Sequence, residues 1–220
     1  LGDVYKRQCK KYCRMMEVSM SIISELVSIV GTILGAVGVI LTVASNRKNR
    51  KLKTVTWSDI QSATKYFWRK LKHEKFVPLF IVTPGQKGGI VAQLISDFYE
   101  DKIPVFTGFL ERREKKQIQI EDDNYMTVST TKWTVHLPIF LKNCESKEKV
   151  KLLIVDDFVM SGDFLYALKR ELLNLGYCEK NIRACAIAVT KVALDAKKAP
   201  NYHWKIVDDK EFYFPWGKAE

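Results

Sequence analysis

The stretch with the clearest potential for chemistry is LLIVDDFVMSGDFL, residues 152–165. An apolar run typical of a buried strand ends in Asp156 and Asp157, and a short turn containing Gly162 leads into a helical pattern. In an open parallel sheet, ligands bind at the carboxyl ends of the strands, and a helix start attracts anions such as phosphate. Carboxylates accept hydrogen bonds from sugar hydroxyls and help to hold Mg²⁺. The acid pair and the turn together therefore predict a site for a ribose 5-phosphate group.

The surrounding sequence predicts the elements that must position this turn. Thr56 and Asp59 form a capping-box pattern at the start of a first helix, and further helices are predicted at 90–99 and 163–175. Short apolar or β-prone segments that predict strands are 77–83, 103–110, 151–156 and 184–190, with a last β-rich region around EFYF. The polar segment 111–135 predicts a mobile hairpin. Strands alternating with helices predict an open, mostly parallel α/β sheet flanked by helices.

A long apolar stretch precedes these elements. Residues 26–44 are uncharged and about long enough to cross a bilayer as a helix, and basic residues follow directly in SNRKNRKLK. Because basic flanks mark the cytoplasmic side, we expect a transmembrane helix over 18–46, a basic linker over 47–55 and a single-pass membrane protein whose C-terminal domain, 56–220, is cytoplasmic. A cleaved signal peptide should carry its basic region ahead of the apolar run, and a buried helix of a soluble domain is the other alternative. Residues 1–14 are interpreted as a non-native leader.

The charge distribution argues against a nucleic-acid-binding protein, and the spacing of the cysteines argues against a metal site. The formal net charge is +11, but most of the basic excess lies in residues 1–14 and 47–53, on either side of the apolar stretch. A basic surface over the globular part is therefore not expected, and we predict no nucleic-acid partner. The five cysteines are scattered without the spacing of a metal site, so we expect reduced thiols.

Four stretches, taken in order, resemble the type I phosphoribosyltransferases, which use phosphoribosyl pyrophosphate (PRPP). That family's hallmark is four apolar residues, two acids and a turn of the form x-x-x-(T/S)-G-x-(T/S), which LLIVDDFVMSGDF matches except at its end. FVPLFIVTPGQKGGIVAQLIS is similar to the family's first strand and pyrophosphate loop. IAVTK is similar to the strand end that carries a lysine near the base, and KEFYFPWG to the C-terminal segment that forms a small hood over the base. The resemblance covers roughly residues 54–220.

The resemblance implies an enzyme that transfers a 5-phosphoribosyl group from PRPP to a nucleobase, expected to be a 6-oxopurine, and releases pyrophosphate. Asp156 and Asp157 are the catalytic acids in this reading, and they would hold the ribose hydroxyls and Mg²⁺, directly or through water. The residues assigned to the 5-phosphate loop are Val159, Met160, Ser161, Gly162 and Asp163. Those assigned to the pyrophosphate loop are Lys87, Gly88 and Gly89, and those assigned to the base are Lys191, Phe212 and Trp216.

Three departures from the family pattern support a second hypothesis. Met160 stands where many 6-oxopurine enzymes carry an aspartate, Phe164 replaces the hydroxyl residue that closes the phosphate turn, and Asp163 adds a carboxylate beside it. The alternative is a catalytically degenerate domain that senses PRPP or a nucleotide at the membrane, or a defence effector there.

A response-regulator receiver also has an IVDD strand, but too few residues follow Asp157 for that fold. Expected partners are PRPP and a nucleobase or nucleotide, and the membrane through 18–46; a homodimer stays open.

Overall fold

The computed structural model describes residues 20, 26–42, 54–112, 124–208 and 213–219. The chain divides into two compact units, residues 1–53 and residues 54–220. In the first unit the described residues form helix α1 over 26–42. The candidate chemistry lies in the second unit.

The predicted membrane location is wrong. Within the described residues, no helix is both long enough and apolar enough to cross a bilayer. The predicted single-pass location with a cytoplasmic C-terminal domain is therefore contradicted. The membrane contact predicted through 18–46 is not shown, and residues 18–19, 21–25 and 43–46 of that segment lie outside the described residues. The predicted leader over 1–14 and residues 47–53 of the linker predicted over 47–55 lie outside the described residues.

The second unit contains the following elements. Its helices are α2 (Trp57–His73), α3 (Gln86–Ser96), α4 (Phe140–Asn143), α5 (Asp163–Asn174) and α6 (Lys191–Asp195). Its strands are β1 (Phe80–Thr83), β2 (Val105–Thr107), β3 (Phe109–Arg112), β4 (Tyr125–Ser129), β5 (Trp133–Pro138), β6 (Leu152–Val159), β7 (Ile182–Thr190), β8 (Tyr202–Val207), β9 (Tyr213–Phe214) and β10 (Gly217–Lys218). The capping box predicted at Thr56 and Asp59 is confirmed, because each side chain accepts from the other residue's backbone N–H.

The main sheet has five parallel strands in the order β2-β1-β6-β7-β8, which confirms the predicted α/β class. Strand β6 lies at the centre, and its side chains alternate between the two faces. Leu153 and Val155 join the core beneath α2 and α3, whereas Leu152 and Ile154 join the core beneath α5. Because every strand runs in the same direction, all carboxyl ends meet at one edge of the sheet.

A smaller antiparallel sheet has the order β3-β5-β4. The single strand predicted over 103–110 is divided into β2 and β3 at Gly108, where a Cβ would lie 2.6 Å from the carbonyl oxygen of His136. The predicted hairpin region holds β4 and the start of β5, which join through a tight turn closed by Thr130 and Trp133. The C-terminal residues 213–219 form the β9–β10 hairpin.

Candidate functional site

The acid pair lies near the carboxyl end of β6, the central strand. Asp157 is only 6% exposed and Asp156 is half-buried. The backbone N–H of Asp157 donates to Asp156 Oδ1 at 2.9 Å. The indole Nε1 of Trp216 donates to Asp157 Oδ2 at 3.0 Å. The two carboxylates are therefore held in fixed directions at the edge where parallel sheets bind ligands.

Burial raises the pKa values of both Asp156 and Asp157, and the repulsion between the two carboxylates adds to the rise for Asp156. Burial, followed by the neighbouring charge of Asp157, raises the pKa of Asp156 well above its usual value. Burial also raises the pKa of Asp157, and the hydrogen bond from Trp216 opposes that shift. The charge of Lys87 lowers both pKa values in part. A cation or a set of hydroxyl donors beside the pair would relieve the repulsion.

The turn after β6 has a tightly constrained backbone. Gly162 adopts a left-handed conformation with φ of 72°, and a Cβ there would lie 2.4 Å from the carbonyl oxygen of Lys198. Val159 is buried, and the hydroxyl of Thr190 donates to the carbonyl of Met160. The turn is therefore fixed to the end of β7 and to the loop after α6, and only glycine fits at 162.

Asp163 begins α5, and its carboxylate has a partner that the sequence did not indicate. Lys198 Nζ lies 2.5 Å from Asp163 Oδ1, and this contact is the main cause that lowers the pKa of Asp163. The backbone N–H of Asp163 also donates to the hydroxyl of Ser161 at 3.4 Å. The carboxylate beside the turn is thus neutralised by a lysine from another loop.

The glycine-rich segment forms the first turn of α3, not a loop ahead of it. Gly85 is the N-cap, and a Cβ on Gly88 would lie 2.8 Å from the carbonyl oxygen of Val155 and 3.2 Å from the Cα of Asp156. The start of α3 therefore packs directly on the strand that carries the acid pair. Lys87 belongs to this turn, and its Nζ donates to the carbonyl of Lys218 at 3.2 Å. The segment assigned to pyrophosphate and the acid pair are neighbours.

The three residues assigned to the base have different surroundings. Lys191 is exposed at the start of α6 and pairs with Asp208 at 2.7 Å. Trp216 stacks on Phe214 with a centroid distance of 5.1 Å and meets Trp57 edge-on at 5.8 Å. Phe212 lies outside the described residues. The structure thus brings Trp216 to the acid pair, where its N–H donates to Asp157. It pairs Lys191, which follows β7, with Asp208, which follows β8.

The described part of the chain holds no cluster of three or more His, Cys, Asp or Glu side chains able to bind a metal ion. Two adjacent carboxylates still suit Mg²⁺, which usually binds one or two carboxylates together with water and substrate phosphates. A polar cavity of about 390 Å³ lies elsewhere, at the amino edge of the sheet beside Ile182 and Arg183, so it is separate from the acid pair.

Comparison with known proteins supports the fold. No family model and no curated protein matches the chain. Among solved structures, a purine phosphoribosyltransferase from Pyrococcus horikoshii Ot3 is similar over 76% of this chain and 94% of that chain, with 21% identity and a TM-score of 0.55. A hypothetical protein from Neisseria gonorrhoeae with bound ppGpp is similar over 74% and 89%, with 18% identity and a TM-score of 0.54. The chain therefore has the fold of the type I phosphoribosyltransferases.

Proposed function

We propose that this protein is a phosphoribosyltransferase that transfers the 5-phosphoribosyl group of PRPP to a nucleobase and releases pyrophosphate. The observation that carries the proposal is the position of Asp156 and Asp157, on the strand that leads into the turn before α5 and against which the first turn of α3 packs. The two helix starts are suited to anionic groups, and the acids to ribose hydroxyls. A 6-oxopurine is the expected base, on the resemblance of IAVTK and KEFYFPWG to purine-using members.

Each part of PRPP has a matching group in this arrangement. Asp156 and Asp157 accept hydrogen bonds from the ribose hydroxyls, the turn at 159–163 receives the 5-phosphate, and Lys87 with the start of α3 receives pyrophosphate. Asp156 and Asp157 would hold Mg²⁺, directly or through water, and the ion would then neutralise negative charge on the leaving pyrophosphate. Since the reacting ribosyl carbon gains positive charge, the protein's task is mainly to position the reactants and to balance charge.

The test is pyrophosphate release from PRPP by the full chain with Mg²⁺ and, in turn, adenine, hypoxanthine, guanine and xanthine. We expect one base to support turnover and Asp156→Asn to reduce it at least about 100-fold, because a charged group that contacts the transition state is lost. Lys102→Met is the matched surface control, since Lys102 pairs with Asp97 near the C-terminal end of α3. Absence of pyrophosphate release with every base, in a protein shown to be folded, would refute the proposal.

A second candidate function is binding of PRPP or a nucleotide without turnover. It is favoured by the C-terminal hairpin, which already occupies two groups assigned to PRPP: Trp216 donates to Asp157 and Lys87 donates to the carbonyl of Lys218. The similar protein from Neisseria gonorrhoeae carries bound ppGpp, so a nucleotide ligand is compatible with this fold. Tight binding of PRPP or a guanine nucleotide by a chain that releases no pyrophosphate would favour this candidate over the transferase.

A further inference from the structure

The turn before α5 lacks the side-chain donor that its family resemblance leads one to expect. Phe164 stands at the position of the closing hydroxyl residue, and its half-buried ring packs against the core beneath α5. The neighbouring Asp163 carries a negative charge. A phosphate in this turn would therefore have backbone N–H groups and the hydroxyl of Ser161, but it would have no hydroxyl at position 164 and would meet an adjacent carboxylate.

Lys198 is anchored at this turn by its backbone as well as by its charge. Its N–H donates to the carbonyl of Ala193 at 2.9 Å, and its backbone packs so closely on Gly162 that a Cβ would not fit between them. The side chain is 33% exposed, and its Nζ lies 5.6 Å from the centre of the Tyr166 ring. The ammonium group is thus held beside the start of α5 and within reach of solvent.

A second lysine approaches from a different part of the chain. Lys132 lies in the turn between β4 and β5, and its charge is one of the causes that lower the pKa of Asp163. Lys132 and Lys198 belong to two separate loops, so it is the tertiary fold that lets both charges act on Asp163. The ion-paired ammonium group of Lys198, the start of α5 and the added charge of Lys132 together make the surroundings of this turn positive, which suits a dianion.

We propose that Lys198 is the side-chain ligand of the 5-phosphate and that Asp163 is its counter-ion until that phosphate binds. The inference rests on the proposed function, which puts the 5-phosphate in this turn. On binding, Lys198 Nζ exchanges the carboxylate of Asp163 for a phosphate oxygen, so an ion pair is exchanged and not lost. Lys198 in this way supplies the donor that Phe164 cannot, and its charge opposes the repulsion from Asp163.

The test measures equilibrium binding of ribose 5-phosphate, PRPP and pyrophosphate to the full chain by calorimetry. We expect Lys198→Met to weaken ribose 5-phosphate and PRPP binding about 10- to 100-fold, as for loss of a charged hydrogen bond, and to leave pyrophosphate binding unchanged. Asp163→Asn should tighten both sugar phosphates about threefold or more, because it removes a competing anion. Lys102→Met, which breaks an ion pair with Asp97, should alter none of the three.

Lys198→Met is expected to weaken sugar-phosphate binding and Asp163→Asn to tighten it. These opposite effects distinguish a ligand-binding role of Lys198 from a purely structural role of the ion pair. If the ion pair only stabilised the turn, Lys198→Met and Asp163→Asn would weaken binding together, and that outcome overturns the inference. Lys198→Arg keeps the charge and should retain affinity within about threefold, which guards against a folding defect in Lys198→Met. Wild-type affinity for PRPP in Lys198→Met refutes this inference alone, whereas a wild-type chain that binds no sugar phosphate refutes the proposed function with it.

Discussion

Replacing Gly162 with alanine should destabilise the protein through two separable costs. The first is conformational, because a residue with a Cβ pays about 1–2 kcal/mol to adopt the left-handed φ of 72°. The second is steric, since the new Cβ would lie 2.4 Å from the carbonyl oxygen of Lys198 and 2.9 Å from its carbonyl carbon. These atoms are backbone and must move as a unit, for which overpacking costs of about 1–3 kcal/mol are typical. The expected total is about 2–5 kcal/mol.

Gly176→Ala is the matched control for this substitution. Gly176 also has a positive φ, 98°, but a Cβ there meets no atom within 4 Å, so only the conformational cost of about 1–2 kcal/mol applies. Urea unfolding followed by far-ultraviolet circular dichroism gives both values on one scale. We expect Gly162→Ala to be less stable than Gly176→Ala by about 1–3 kcal/mol. Equal destabilisation would show that the Lys198 loop moves aside freely, and the steric part of the reasoning would be refuted.

Three further predictions concern the acid pair and a buried thiol. Trp216→Phe removes the donor to buried Asp157, so the free energy of unfolding at pH 7 should fall by about 1–3 kcal/mol, as urea titration measures. The pKa of Asp156 is raised in the folded protein above its ordinary value of 3.8. The contribution of Asp156 to the free energy of unfolding is therefore fully present below pH 3.8 and is lost as the pH rises through the folded pKa. Asp156→Asn should therefore gain stability over wild type as pH rises, in urea titrations between pH 3.5 and 8. Cys185 is buried and burial raises its pKa, so iodoacetamide should label half-buried Cys178 first, as peptide mass spectrometry reports.

Each of these predictions has a result that contradicts it. Unchanged stability in Trp216→Phe would mean that water replaces the indole at Asp157. A constant stability difference between Asp156→Asn and wild type across the pH range would mean that Asp156 has an ordinary pKa when folded. Labelling of Cys185 as fast as Cys178 under native conditions would mean that β7 opens locally.

The central part of the fold could be predicted because its signals are local. The apolar run and the helical period around the acid pair predict a strand at 151–156 and a helix at 163–175, and the structure has β6 at Leu152–Val159 and α5 at Asp163–Asn174. Because ligands bind at the carboxyl ends of the strands in a parallel sheet, this strand and helix alone indicate that the acids and the turn lie together at the ligand-binding edge.

Other features depend on contacts that no local pattern encodes. Helix α3 begins at Gln86, four residues before the predicted start, because Gly88 lets its first turn approach the backbone of β6. Lys198 is 35 positions from Asp163 and Trp216 is 59 positions from Asp157, so neither partner could be inferred from spacing.

The contact between Trp216 and Trp57 gives the protein an internal optical reporter. Two indoles with centroids 5.8 Å apart and planes inclined at 65° couple their excited states, and such coupling produces a signed pair of bands in circular dichroism at the strong indole absorption. Because the same Trp216 donates to Asp157, any event that withdraws the indole from the acid pair alters those bands. Circular dichroism can thus report, in solution and without a label, whether the C-terminal hairpin keeps Trp216 at the acid pair.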